Sequence, residues 1–113
     1  MIDQVAGASA EQVVAATLAV PGVVGMHSGP FGEVATYLPG HRIGGVRLTP
    51  EVTEVHVVLQ WGAAIQPTAA AIRRAVGPLV NTPVAVTIED VRVDTGPADD
   101  PRSALTTART VRR

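Results

Sequence analysis

The residues able to do chemistry are few and far apart. Three histidines are present, His27, His41 and His56. A metal centre needs nitrogen, sulfur or carboxylate donors converging at a fixed spacing, as in HxH or HxxxH beside acids. No two of these histidines have that spacing, and cysteine is absent, so the chain carries no thiolate site and no disulfide framework. The serines are no better placed for nucleophilic attack. Ser9 stands where a helix N-cap is expected, Ser28 lies in a Gly-Pro turn without a nucleophile elbow, and Ser103 is in the polar C-terminal stretch. Two acidic pairs are candidates for acid–base work. Glu51 and Glu54 flank a turn, however, and Glu89-Asp90 adjoin an expected bulge, so neither pair implies a cleft. The segment GHRIGG (40–45) matches no phosphate-binding loop, and no helix N-terminus follows it. The expectation is a protein without catalytic residues, cofactor, metal or small-molecule substrate.

The stretch GEVATYLPGHRIGGVRL (32–48) leads from a strand-like run into a loop that holds His41, Arg42 and Arg47. Two readings stand. Either the arginines are solvated and the glycines permit a tight path, or the three side chains form a cationic knob that docks on an acidic neighbour. Nucleic-acid binding is the rival function, because the element order derived below overlaps with small RNA-binding folds. A KH-like module clamps a nucleic-acid backbone with GxxG between two helices. The GxxG spacings Gly22–Gly25 and Gly29–Gly32 join no two helices, and the stacking candidates are only Tyr37 and Trp61. A net charge of −1 lacks the concentrated positive field of a general nucleic-acid binder.

The rest of the composition fixes what can position these residues. At 113 residues the chain supports one modest core. Its hydrophobic fraction of 46% is dominated by Ala and Val, with one Phe, one Tyr and one Trp. Small side chains of this kind favour close packing of helices on a sheet. Charge is uneven: residues 1–94 hold eight acids and five arginines (−3), and residues 95–113 hold two acids and four arginines (+2). The basic end, with Arg109, Arg112 and Arg113, reads as a solvated tail or as a weak tether to an acidic surface. The longest nearly apolar run, VVAATLAVPGVVGM (13–26), is 14 residues and is broken by Pro21-Gly22. A membrane span needs roughly 20. Asp3 and Glu11 sit where a signal peptide would carry positive charge. These features predict a cytoplasmic protein, or one that reaches the inner face of the cell membrane through a partner.

The pattern of apolar residues then sets the elements. Residues 1–8 read as a flexible N-terminus, followed by a domain over 9–94 and a polar Arg-containing tail over 95–113 with a candidate short helix. Ser9 and Gln12 have capping-box spacing, and Val13, Ala16, Thr17 and Val20 form one helical stripe that Pro21-Gly22 ends. A bent strand is expected from Val23 to Leu38, interrupted at Ser28-Gly29-Pro30. Pro39-Gly40 signals a turn, and Val46-Arg47-Leu48 a short rung. TEVHVVLQW (53–61) alternates cleanly, with Val55, Val57, Leu59 and Trp61 inward and Glu54, His56, Val58 and Gln60 outward. A second helix begins at Pro67 or Thr68, with Gly77-Pro78 loosening its last turn. The last strand, VAVTIEDVRV (84–93), changes parity, which a bulge near Glu89-Asp90 would correct.

The order α-β-β-α-β predicts an α+β fold, a two-layer α/β sandwich with a three-stranded mixed sheet and both helices on one face. Each strand has one apolar face to offer, so the helices must share it. The opposite face carries Glu54, His56, Gln60, Ala85 and Thr87. Small side chains there let another backbone approach closely, so this face, with His41, Arg42 and Arg47, is the expected interaction surface.

Five blocks of the sequence resemble the alkaline shock protein family of envelope stress response proteins. They are VPGVVGMHSG (20–29), GEVATYLPGHRIGGVRL (32–48), EVHVVLQWG (54–62), IRRAVGPLV (72–80) and PVAVTIEDV (83–91). The resemblance spans about residues 9–93, carried mainly by the helix-then-VPGV opening and the EVHVVLQWG strand. It implies a non-enzymatic bacterial protein of cell-envelope homeostasis, cytoplasmic or peripheral to the membrane. It also implies self-association and recruitment by a separate membrane-anchored partner. The family offers no catalytic motif to carry over. This chain lacks the lysine-rich or strongly acidic tail of longer relatives. At fold level the order is also similar to ring-building modules of secretion and sporulation machinery.

Overall fold

In the computed structural model the chain is described from Ile2 to Val93, so the tail expected over 95–113 lies outside the described residues. The first helix, α1 (Ile2–Leu18), starts well before Ser9. Ser9 therefore lies inside the helix and does not cap it, and residues 2–8 form its first turns. The reason is local: those seven residues contain one glycine and no proline, so nothing upstream of Ser9 stops the helix. Ala10, Val13 and Thr17 make its buried stripe, and Val20, just beyond its end, is buried with them. The Thr17 hydroxyl donates to the Val13 carbonyl at 2.7 Å, which satisfies a polar group inside the core. Pro21 and Gly22 then close a tight turn, with the Val23 N–H donating to the Val20 carbonyl and Gly22 at φ 98°. That is the proline-then-glycine order of a type II turn.

The alternating segment becomes β5 (Thr53–Gln60), the centre of the sheet. Along one edge, β1 (Val23–Met26) pairs antiparallel with residues 57–59, and β4 (Val46–Leu48) pairs antiparallel with residues 53–55. The two short strands lie end to end, and His56 joins them. Its N–H donates to the Gly45 carbonyl and its carbonyl accepts from the His27 N–H, both at 2.9 Å. Along the other edge runs β6 (Val84–Arg92), parallel to β5. Among the described residues the sheet thus has four strands but is three ranks wide.

Segment 33–38 was expected to continue the first strand, and it does not. β2 (Ala35–Leu38) pairs with β3 (His41–Gly44) in a separate two-stranded sheet. Pro39-Gly40 closes a two-residue turn, with Gly40 at φ 83°, so the chain returns at once and satisfies its own backbone. The edge of β5 is meanwhile filled by β1 and β4.

The second helix, α2 (Ile65–Val76), passes into a 3-10 turn at Gly77–Leu79, where Pro78 interrupts the α-helical ladder. The parity change in β6 resolves as a bulge. Ile88 partners Val57 and Asp90 partners Val58, leaving Glu89 as the extra residue and returning Val91 opposite Leu59. Val55, Val57 and Leu59 are 0% exposed and pack in one cluster with Ala10 and Val13 of α1 and Ile72 and Val76 of α2. Both helices therefore cover one face, and the fold is a two-layer α+β sandwich. Burial of each such side chain contributes about 1.5–3 kcal/mol before ordering is counted. Trp61 departs from expectation. β5 ends at Gln60, Gly62 at φ 93° turns the chain, and Trp61 is left 71% exposed.

Candidate functional site

The face of the sheet opposite the helices collects five of the seven residues singled out from the sequence. Arg47 and Glu54 are cross-strand partners on β4 and β5. Ala85 and Thr87 are the β6 partners of Glu54 and His56. Period-two alternation puts all five on the outward side.

The polar members form a chain across three strands. Arg47 Nε lies 3.7 Å from Glu54 Oε2, and Glu54 Oε1 lies 3.6 Å from His56 Nε2. His56 Nδ1 is 2.6 Å from Glu89 Oε2. The first two distances are too long for hydrogen bonds, and the third is a short hydrogen bond. An ionised carboxylate only accepts, so this partner places the proton on Nδ1 of the ring. Exposure falls along the chain, from 47% at the Arg47 side chain through 26% at Glu54 to 14% at His56 and 15% at Glu89. The His56–Glu89 bond is thus the most sheltered of the three and the only one with hydrogen-bonding geometry. The outer link, Arg47 to Glu54, is solvated and contributes little.

This arrangement cross-links strands. The two carboxylates meet opposite nitrogens of His56, so the donors point apart. Among the described residues no group of three or more His, Cys, Asp or Glu side chains is placed to hold a metal ion. Among the described residues the partners of the His56 ring are two carboxylates, with no serine or threonine hydroxyl bonded to it. Beside the cluster the surface is plain: Ala85 and Thr87, both small, are exposed.

The other two singled-out residues lie elsewhere. His41 and Arg42 belong to β3, not to a loop shared with Arg47. The Arg42 guanidinium donates to the Gly32 carbonyl at 2.8 Å and stands 6.0 Å from the centre of the Tyr37 ring. It pins the 28–34 turn onto the hairpin. His41 Nε2 lies 3.8 Å from Glu11 Oε2 of α1, an exposed contact. His41, Arg42 and Arg47 therefore have three separate partners and do not form one knob.

Two features escaped the sequence reading. Glu89 is the closest partner of His56, and the bulge that places it there was the available signal. The second is an apolar corner beside the end of β5, where Trp61, Gly62, Ala63, Ile65 and Val91 line a shallow depression of about 350 Å³. A neighbouring hollow shares Trp61 and adds Pro21, Gly22, Gln60, Ala64 and Thr68. Among the described residues no ionisable side chain lines either. No described helix is long and apolar enough to cross a membrane. Comparison of the chain with models of protein families, with curated proteins and with solved structures finds no match.

Proposed function

We propose that the chain is a non-enzymatic assembly module of the alkaline shock type, serving the bacterial envelope stress response. It acts by associating with copies of itself and with a membrane-anchored partner that holds it at the inner face of the cell membrane. The observation that carries this reading is the asymmetry of the sheet. Both helices cover one side, while the other presents exposed Ala85 and Thr87 beside a strand whose outer flank is open among the described residues. An exposed strand flanked by small residues is suited to backbone-to-backbone recognition. The His56–Glu89 bond supports the same reading, because it holds β5 and β6 in register from the outer side without offering reactive chemistry.

Sedimentation velocity over a concentration series tests the proposal. The protein should form larger species as concentration rises. The double substitution Ala85→Glu with Thr87→Glu should shift it toward monomer while leaving its unfolding midpoint nearly unchanged. A protein that stays monomeric throughout the series overturns the reading.

A further inference from the structure

Among the described residues β6 is the longest strand in the sheet, nine residues, and lies at its edge. Its backbone parity can be read from β5. The Thr53 N–H donates to the Pro83 carbonyl, and the parallel register pairs Thr53 with Val84, Val55 with Val86 and Val57 with Ile88. In such a ladder the alternate β6 residues, Ala85 and Thr87, turn their N–H and C=O groups toward β5. Those of Val84, Val86 and Ile88 point away, along the outer flank. The partners recorded on the opposite edge agree: His56, of the other parity in β5, bonds to Gly45 and His27.

The segment Val84–Ile88 is also bounded. Pro83 precedes it, without an N–H, and the Glu89 bulge follows it, where the ladder loses its register. The bulge interrupts strand addition, whereas Pro83 has the parity that faces β5, so its missing N–H leaves the outer flank unchanged; the five residues Val84–Ile88 are uncharged, and four of them have high β-propensity. Val84, Val86 and Ile88 pack only partly against the core, so some of their apolar surface remains open beside the flank.

We infer that two copies of the chain join through this flank, β6 antiparallel to β6, about a two-fold axis at Val86. The inference rests on the assembly reading above and names its surface and register. Three matches select a second copy as the occupant. First, Val86 would face Val86 and Val84 would face Ile88, which are the residues whose backbone groups point outward, giving about six hydrogen bonds. Second, Val84, Val86 and Ile88 would meet the same residues on the helix-covered side, and Ala85 would meet Thr87 on the other. Third, the nearest acids fall outside the paired segment, Glu89 opposite Pro83 and Asp90 opposite Thr82, so no like charges oppose each other. A one-residue shift of register would lose the backbone match.

The native chain has no cysteine, so introduced thiols report only on this contact. Ala85→Cys and Thr87→Cys are prepared separately, mixed in equal amounts at a concentration where the wild type sediments as a dimer or larger, and oxidised mildly. In the inferred register residue 85 faces residue 87 of the other copy at a Cα separation of about 4.5 Å, within disulfide range. Residues 85 and 85, or 87 and 87, would lie about 7–8 Å apart, beyond it. The expected result is a linked dimer in the mixture at least fivefold above either variant alone. As a second measurement, Val86→Pro removes the N–H at the axis and should abolish the dimer while the monomer retains its circular dichroism spectrum. Assembly with no linked product, or with equal linking in each variant alone, overturns the β6 register and leaves the assembly reading intact. Absence of any species larger than the monomer overturns both.

Discussion

The two faces of β5 are built on different principles. On the inner face Thr53, Val55, Val57 and Leu59 are at most 2% exposed, and the three apolar ones pack in one cluster with side chains from both helices. That face is held by volume: each side chain fills a space that its neighbours define. On the outer face Glu54 and His56 are only partly exposed and Gln60 is open to solvent. That face is held by directed contacts, of which His56–Glu89 at 2.6 Å is the shortest. Val58 is the outer-face exception at 1% exposure, lying between its partners Gly25 and Asp90. The contrast teaches where the molecule can change. Substitutions on the inner face act on folding, and under the assembly proposed above those on the outer flank of β6 act on association.

The largest expected effect comes from emptying the inner face. Leu59→Ala should lower unfolding free energy by about 2–5 kcal/mol, measured by denaturant titration. Gln60→Ala, one residue along on the outer face, should stay within about 0.5 kcal/mol. Equal losses at the two positions would break the contrast. Next is the outer face's own anchor. Glu89→Ala leaves the His56 ring without its hydrogen-bond partner and should cost about 1.5–3 kcal/mol. Combined with His56→Ala, the total loss should fall short of the sum of the single losses, which a double-mutant cycle reads directly.

Gly45→Ala probes the bend that carries the chain from the hairpin into the sheet. Its φ is 89°, and an added Cβ would lie 2.7 Å from the Met26 Cβ. The expected loss is about 1–3 kcal/mol in the same titration. Smallest is Arg42→Ala, which removes one exposed hydrogen bond to Gly32. A loss of about 0.5–1 kcal/mol is expected, with faster proteolysis within 28–34 as the sharper readout.

Most of the sandwich was legible because it depends on periodicity. The β5 alternation, the α1 stripe, the Pro21-Gly22 stop and the Glu89 bulge are all local patterns, and each corresponds to an observed feature. What was hidden depends on competition between distant segments. The 35–38 strand had an apolar pattern that suited the main sheet. Its tight Pro39-Gly40 turn and the pairing of β1 and β4 with β5 instead gave it a partner of its own. Trp61 looked inward by parity alone, but a strand's alternation lasts only as long as its backbone stays extended, and Gly62 ends it. Of the candidate site, the shared face of Arg47, Glu54, His56, Ala85 and Thr87 follows from alternation and pairing. The Arg42 contact with Gly32 does not, because it depends on how a glycine-rich turn folds back.

Residue-resolved amide hydrogen exchange, followed by NMR as protein concentration is raised, tests the central claim most directly. The amides of Ala85 and Thr87, directed at β5, should exchange slowly at every concentration. Those of Val84, Val86 and Ile88 should exchange rapidly in dilute solution and become protected together as the protein assembles. Protection of these three amides in the dilute monomer, or rapid exchange that persists in the assembled protein, would contradict the account.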